Sequence, residues 1–458
     1  MNSKLYYKNV DLQGQSVIVR VDLDVPLTAD FKIEDNTRIR KVLLIIEQLL
    51  NIQGTKIILI SHLGNPNGTI QPELSLKPVA DELQRILGDR AKVKFSPDCM
   101  NANNDIKVLE VHEILLLENI RFYKEEQDNS MFFGKILSQY GQFYINDDFA
   151  SVHLKVASVV SITQFFPGKS LYGDNLKNEA QILSQAYQTP SRPFVAVLGG
   201  ARITEKINIM KNMIKGLDKM IIGGGMSSTF LWSMGKDLGQ VSVQPNCQSF
   251  CKQLLEQFKH KILLPSDYYA TSNQSSTNQS SNEQAVCSID KIPIRYDPTD
   301  IGPISQEQFS SIIRTAKTIV LYGQLQLSQS DIQGSSAQSI TQAAIEALKQ
   351  GATIIVNENE AQSLNSKVRN LSNVIIMSEE SMQTYLQGLP FPGIEALTDA
   401  PVESEDEENE KEVEIKKHRG RPRKTLDNEF KINQQFDSID AAEIFLQELQ
   451  QQENHAIA

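Results

Sequence analysis

Charged residues stand at the ends of several apolar β-branched runs in this chain, and their types suit the handling of anions. Val17-Ile18-Val19-Arg20-Val21 ends in Asp22, Asp24 and Pro26, and residues 55–60 run into Ser61-His62-Leu63-Gly64-Asn65-Pro66. Residues 114–117 feed Glu118-Asn119-Ile120-Arg121-Phe122, residues 142–145 feed Asn146-Asp147-Asp148-Phe149, and Asp35-Asn36-Thr37-Arg38 opens an apolar helix. Continuous apolar runs read as buried parallel strands, and open α/β sheets place ligands at the carboxyl ends of such strands. Asp22, Arg38, His62 and Arg121 are thus predicted on one rim. The planar, permanently charged fork of arginine grips phosphate or carboxylate with paired hydrogen bonds, which is what phosphoryl transfer asks of a protein. Plainer readings stand beside this one: Asp22 and Arg38 as a structural ion pair, and His62 as a packed rim histidine.

A second series starts at residue 193, with strands at 194–198, 219–222, 318–321 and 353–356 separated by helix-length segments. Gly199-Gly200-Ala201-Arg202-Ile203-Thr204-Glu205-Lys206 follows a strand and opens a helix, a natural seat for a phosphate. Gly223-Gly224-Gly225 suits ligand contact or close strand-to-helix packing equally well. The predicted architecture is α/β: two Rossmann-like parallel-sheet lobes joined by a helix. The first lobe spans 1–174, the connecting helix 175–190 and the second lobe 191–397. A Ser/Asn/Gln-rich insertion at 271–284 cannot bury a core and reads as a flexible surface excursion.

The ordered set of segments above, with Arg192-Pro193-Phe194, Asp300-Ile301-Gly302-Pro303 and Phe391-Pro392-Gly393, resembles phosphoglycerate kinase from about residue 17 to 397. The resemblance implies a phosphoglycerate site on the first lobe and MgATP or MgADP on the second, brought together by hinge closure. By analogy Arg38 and Lys206 are the catalytic candidates, with Arg38 stabilising the transferring phosphoryl group. Asp22, His62 and Arg121 would bind substrate, Arg121 holding its distal phosphate. Gly200, Arg202, Lys206 and Gly323 would bind nucleotide.

Several positions depart from the family pattern. Its His-Leu-Gly-Arg-Pro reads His62-Leu63-Gly64-Asn65-Pro66, and its Ala-His-Arg-Ala-His reads Val152-His153-Leu154-Lys155-Val156. Asp24 and Asp148 stand where the family has Asn and Ala, adding negative charge beside an anion site. In the second lobe the carboxylate expected at the ribose is Gln329, and Gly-Gly-Gly-Asp reads Val356-Asn357-Glu358-Asn359, which loses a metal-holding charge. The later triple glycine reads Ser378-Glu379-Glu380, so carboxylates replace anion-binding amides. The sequence therefore points to a divergent relative, impaired in transfer and acting as a scaffold or as a binder of 3-phosphoglycerate or a similar ligand. The alternative is an active kinase using Mg and ATP/ADP.

After residue 397 the chain changes character. An acidic block at 403–414 precedes Lys416-Lys417-His418-Arg419-Gly420-Arg421-Pro422-Arg423-Lys424, and such charge blocks are usually disordered interaction tails. Arg419, Gly420, Arg421 and Pro422 resemble an AT-hook, whose Arg-Gly-Arg-Pro core lies along the narrow minor groove of AT-rich DNA. A nuclear-import signal or a solvated basic linker fits the same residues. Ile439, Ala442, Phe445, Leu446 and Leu449 recur at helical spacing and suggest a helix at 438–452 that docks on its own lobe or on a protein partner. The tail favours a nuclear location, the family a cytoplasmic one.

Composition sets outer bounds. The net charge of -11 argues against global polyanion binding, leaving only a local basic patch. The four cysteines lack the spacing of a zinc site, so no resident metal is expected and free thiols are. No apolar run has membrane-spanning length, and the amino terminus lacks a secretory signal's apolar core, which predicts an intracellular protein without a membrane partner.

Overall fold

The computed structural model describes residues 4–239, 241–272, 284–290, 292–293, 296–327, 336–369 and 371–401. The AT-hook-like motif, the helix expected at 438–452, Gln329 and most of the 271–284 insertion lie outside the described residues.

Val17, Ile18, Val19 and residues 57–60 are β-branched or leucine and have no access to water, as a sheet covered on both faces requires. The first lobe's sheet runs, in spatial order, Lys92–Ser96, Glu113–Leu117, Lys56–Ile60, Ser16–Arg20, Phe143–Asn146 and Ser170–Tyr172. All neighbours are parallel, with Arg20 level with both Ile60 and Asn146. This register brings the residues after each strand to a common rim. The helix Thr37–Leu50 covers the sheet through Ile39, Val42, Leu43, Ile45, Ile46 and Leu49, a 3.6-residue stripe that leaves Arg38 at the rim end.

The second lobe repeats the plan with Val374–Met377, Thr353–Asn357, Thr318–Tyr322, Phe194–Leu198, Lys219–Ile222 and Ile262–Leu263. A separate antiparallel sheet of Gln284–Ser288, Asp267–Ser272 and Tyr296–Ile301 accompanies it. Thr271 and Ser272 pair with Gln284, Asp297 and Tyr296, so the ends of the low-complexity insertion are strand. Sequence reading also passed over Lys92–Ser96, whose lysines break the apolar run. Lysines suit the edge position the strand occupies, where charge discourages pairing with another chain.

The helix Asp174–Gln188 joins the lobes, and one apolar cluster runs through it, from Ile18 and Leu115 past Leu176 and Leu183 to Leu198 and Ile222. Its start is fixed by Asp147, which accepts from the Asn175 backbone N–H and from Asn175 Nδ2, both at 2.7 Å. Only glycine fits at 173, since a Cβ there would lie 2.3 Å from Asp147 Oδ1. Tyr6, Tyr7 and Lys8 converge on Asp174. The end of the described chain comes back to the first lobe instead of finishing in the second. Phe391 packs edge-on against Phe149 at 5.5 Å, the Gly393 N–H donates to Val152 O at 2.8 Å and the Thr398 N–H to Ser170 O at 2.9 Å.

Burial raises the Asp147 carboxyl from 3.8 to about 7, against the pull of the Asn175 hydrogen bonds. Between those values the folded protein holds a proton that the unfolded chain has released. The Asp147 contribution to stability therefore falls as pH rises from about 4 to about 7, then stays constant. Melting temperatures of wild type and Asp147→Asn, compared from pH 5 to 8, should diverge with the variant gaining at the higher pH. A pH-independent offset would contradict this account.

Candidate active site

At the centre of the first lobe's rim lies Arg20, 1% exposed. It belongs to the strand Ser16–Arg20, and every direction its guanidinium points in meets protein. Nε donates to Ser158 Oγ (3.1 Å), Nη1 to Val21 O (2.9 Å), and Nη2 to Ser151 Oγ (3.2 Å) and His62 Nδ1 (3.1 Å). Its counter-charge is Asp148, equally buried, with Oδ2 2.9 Å from Nη1 but off-axis for a hydrogen bond. Asp148 therefore does not add free negative charge to the anion site, as its sequence position suggests; it is consumed in neutralising Arg20. Ser158 passes the network on to buried Glu126, which accepts from both its N–H (2.8 Å) and its Oγ (2.6 Å). Burial pushes the Glu126 carboxyl up, and Arg20 and Ser158 pull it back.

This network fixes the state of His62. Because Arg20 donates to Nδ1, the neutral ring carries its proton on Nε2, which faces Asp24 Oδ2 at 3.6 Å. Burial, then Arg20, Arg121 and Arg38, hold the imidazole well below its usual pKa. It offers a neutral N–H at physiological pH, not a cation. Asp24, for its part, accepts from the Gly64 N–H at 2.7 Å and shapes that loop.

Arg38 donates through Nη1 to both oxygens of Asp22, at 2.9 and 2.8 Å, so the predicted ion pair is present. Burial, the largest influence, opposes the Arg38 charge, but Asp22, Asp24 and Glu358 together outweigh it. On its other side, Nη2 lies 3.6 Å from Glu358 Oε1 of the second lobe. Arg121 gives one hydrogen bond to Gly64 O at 2.9 Å and, among the described residues, has no carboxylate within ion-pair distance. It is the rim arginine left for an anion. Asn65 accepts from Gln127 Nε2 at 3.2 Å, and Lys155 is exposed.

In the second lobe three strand-end loops interlock. The Gly200 N–H donates to Gln324 O at 2.7 Å, and a Cβ on Gly199 would stand 2.1 Å from that oxygen. Gly323 adopts φ +91°, and a Cβ there would meet Lys206 Nζ at 2.5 Å. Gly199 and Gly323 are required by loop-to-loop approach, and Gly200 by its φ of +103°, whether or not a nucleotide binds. Lys206 turns inward, donating to Gly199 O (2.7 Å) and Tyr322 O (3.3 Å), with Nζ 3.9 Å from the Tyr322 ring centre. Burial lowers its pKa, and Glu379, Glu360 and Glu205 oppose that shift. Burial raises the Glu360 pKa, and its Oε2 is buried without a hydrogen-bond partner. Glu379 accepts from Tyr322 Oη and from Asn357 Nδ2. Arg202 is exposed and lies 3.5 Å from Glu205, away from the inward-facing Lys206 contacts. The predicted residues thus gather in two groups, Asp22, Arg38, His62 and Arg121 on one lobe and Gly200, Lys206 and Gly323 on the other.

The sequence reading missed Arg20, Ser158 and Glu126. A usable signal was there: an arginine closing a run of fully apolar strand residues must find a buried partner. MgADP or MgATP would meet an awkward reception at the second group. Lys206 already has backbone partners, and Glu360 and Glu379 present like charge to phosphate.

Removing one member of a buried ion pair strands the other, at a loss of about 3–5 kcal/mol. Asp148→Ala should lower the urea-unfolding free energy by an amount in that range, and adding Arg20→Met should restore part of it. A double variant no better than the single one would show that the pair does not carry the effect.

Comparison with known proteins follows this geometry. The family profile for phosphoglycerate kinase matches residues 7–388. The phosphoglycerate kinase of Koribacter versatilis is 36% identical over 416 residues, covering 86% of this chain and 99% of that protein. The cytosolic phosphoglycerate kinase of Nicotiana tabacum is 32% identical over 86% of this chain and 98% of its own length. Among solved structures, phosphoglycerate kinase from Coxiella burnetii superposes with a TM-score of 0.72 at 26% identity, covering 86% of this chain and 98% of that one. With two parallel six-stranded sheets, a joining helix and the facing rims described above, this chain belongs to the phosphoglycerate kinase family.

Proposed function

We propose that the chain binds a phosphoglycerate-type anion on its first lobe and is impaired in phosphoryl transfer because its second lobe receives nucleotide poorly. The observation that carries this reading is the set of carboxylates at the second lobe's rim. Glu379 is held by Tyr322 and Asn357, Glu360 is half-buried beside it with its Oε2 lacking a hydrogen-bond partner, and both act on the Lys206 charge. Transfer depends on positioned cations and amides that neutralise charge on the moving phosphoryl group, and carboxylates in those places oppose it. On the first lobe Arg121 remains available, while neutral His62 can still donate from Nε2.

An active kinase is the second reading, favoured by Arg38 and Lys206 standing on opposite rims. Coupled-assay turnover with 3-phosphoglycerate and MgATP separates the two. Turnover no greater than that of an Arg38→Ala variant is expected; turnover that disappears only in the variant would establish the kinase. For the anion site, Arg121→Ala should weaken 3-phosphoglycerate binding by about 10- to 100-fold in calorimetry, the size of a lost charged hydrogen bond. Unchanged affinity would place the ligand elsewhere.

The tail supports an added role as a scaffold in contact with AT-rich DNA. Arg419→Ala with Arg421→Ala in the full-length protein should abolish a preference for AT-rich over GC-rich duplex. Equal binding by both proteins would reject groove insertion.

A further inference from the structure

Most of the rim's charged groups are satisfied within their own lobe. Arg20 has Asp148, Glu126 has Ser158, and Asp22 has Arg38. Glu358 is different. It opens the short helix Glu358–Ala361 at the end of the second-lobe strand Thr353–Asn357, yet its carboxylate is directed at a first-lobe arginine. Its backbone is well placed for this. Asn357 caps the helix by accepting the Glu360 N–H at 3.0 Å, and Asn357 Nδ2 is tied to Glu379 at 2.8 Å. The Glu358 side chain remains half exposed and has no other ion pair among the described residues.

On the first-lobe side, Arg38 is divided between two carboxylates. Nη1 is committed to Asp22, and Nη2, the edge facing across the site, is 3.6 Å from Glu358 Oε1. A second polar contact crosses between the lobes: Ser381 Oγ lies 2.7 Å from His153 Nδ1, and Ser378 Oγ donates to Ser381 Oγ at 3.2 Å. His153 follows the Asp148 segment of the first-lobe rim, and Ser381 sits in the first turn of the second-lobe helix Glu379–Leu386. Two struts therefore span the same cleft, and one of them ends on a residue assigned to the reaction.

We propose that Glu358 is an internal competitor for the anion site: its carboxylate occupies the cleft-facing edge of Arg38, latching the lobes, and an oxyanion that takes Arg38 must displace it. This rests on the reading that the first lobe binds a phosphoglycerate-type anion. A carboxylate and a phosphate oxygen make the same kind of contact with a guanidinium edge, so the two exclude each other there. Because the pair is partly solvated at 3.6 Å, its effect on affinity is modest, of the order expected for a surface ion pair. Ligand affinity and lobe separation become linked by the same few-fold factor, since whatever binds only the unlatched form favours unlatching by an equal amount.

The test uses the full chain with fluorophores on Lys77→Cys and Lys259→Cys, both exposed positions, the four native cysteines being buried. Without ligand, Glu358→Gln should shift the transfer-efficiency distribution towards greater lobe separation. In calorimetry the same substitution should tighten 3-phosphoglycerate binding by roughly 3- to 5-fold, with Glu358→Asp between it and wild type. Ser381→Ala removes the second strut and leaves Arg38 untouched; by the same linkage, any widening of the distribution it causes should be matched by an equal tightening of binding. An unchanged distribution in Glu358→Gln would overturn the latch. Binding that Glu358→Gln leaves unchanged would overturn the competitor while preserving the anion site. Failure of 3-phosphoglycerate to bind either protein would instead remove the anion-site reading, and the competitor with it.

Discussion

A guanidinium sealed from water organises the first lobe. Arg20 cannot be solvated, so the surrounding chain must supply both its counter-charge and its hydrogen-bond acceptors. Meeting that demand fixes the residues after three strands at once: Val21 and His62 through direct hydrogen bonds, Ser151 and Ser158 through their hydroxyls, and Asp148 through charge. The histidine's tautomer and its neutral state follow from the same donor. So does the position of Glu126, which reaches Arg20 only through Ser158. Asp148 is therefore structural, and the rim's reactivity is left to the groups that Arg20 does not engage.

Seen from the ligand side, the first lobe is less basic than its arginines suggest. Arg20 is matched by Asp148, Arg38 by Asp22 and by Glu358 across the cleft, and of these three rim arginines Arg121 alone lacks a carboxylate among the described residues. The second lobe shows the converse arrangement. Its glycine loops still interlock closely, because backbone approach at Gly199 and Gly323 is a packing requirement and Gly200 adopts φ +103°. Beside these loops stand two carboxylates, Glu379, hydrogen-bonded by Tyr322 and Asn357, and Glu360.

Sheet strands, their order of chemistry along the chain and the gathering of Asp22, Arg38, His62 and Arg121 were legible in the sequence, because buried parallel strands announce themselves as uninterrupted apolar runs and their register aligns whatever follows them. Shorter or edge strands were not. Lys92–Ser96 carries alternating lysines, Ile262–Leu263 is too short to show a pattern, and Asp267–Ser272 runs into the low-complexity insertion. The return of residues 391–399 to the first lobe was equally hidden, since only long-range packing against Phe149, Val152 and Ser170 places them there.

The sequence by itself determined the fold class, the family and the identity of the substituted positions, for these depend on residue type and order alone. Only the tertiary structure decided what the substitutions do. Asp148 reads as a repulsive charge until its distance to Arg20 is known, Glu358 as a lost glycine until it is found beside Arg38, and Lys206 as a free cation until its bonds to Gly199 and Tyr322 appear. The physical reason is common to all three. The effect of a charge is set by the partner nearest in space, and Arg20, Arg38 and Tyr322 each reach theirs from a different strand or the other lobe.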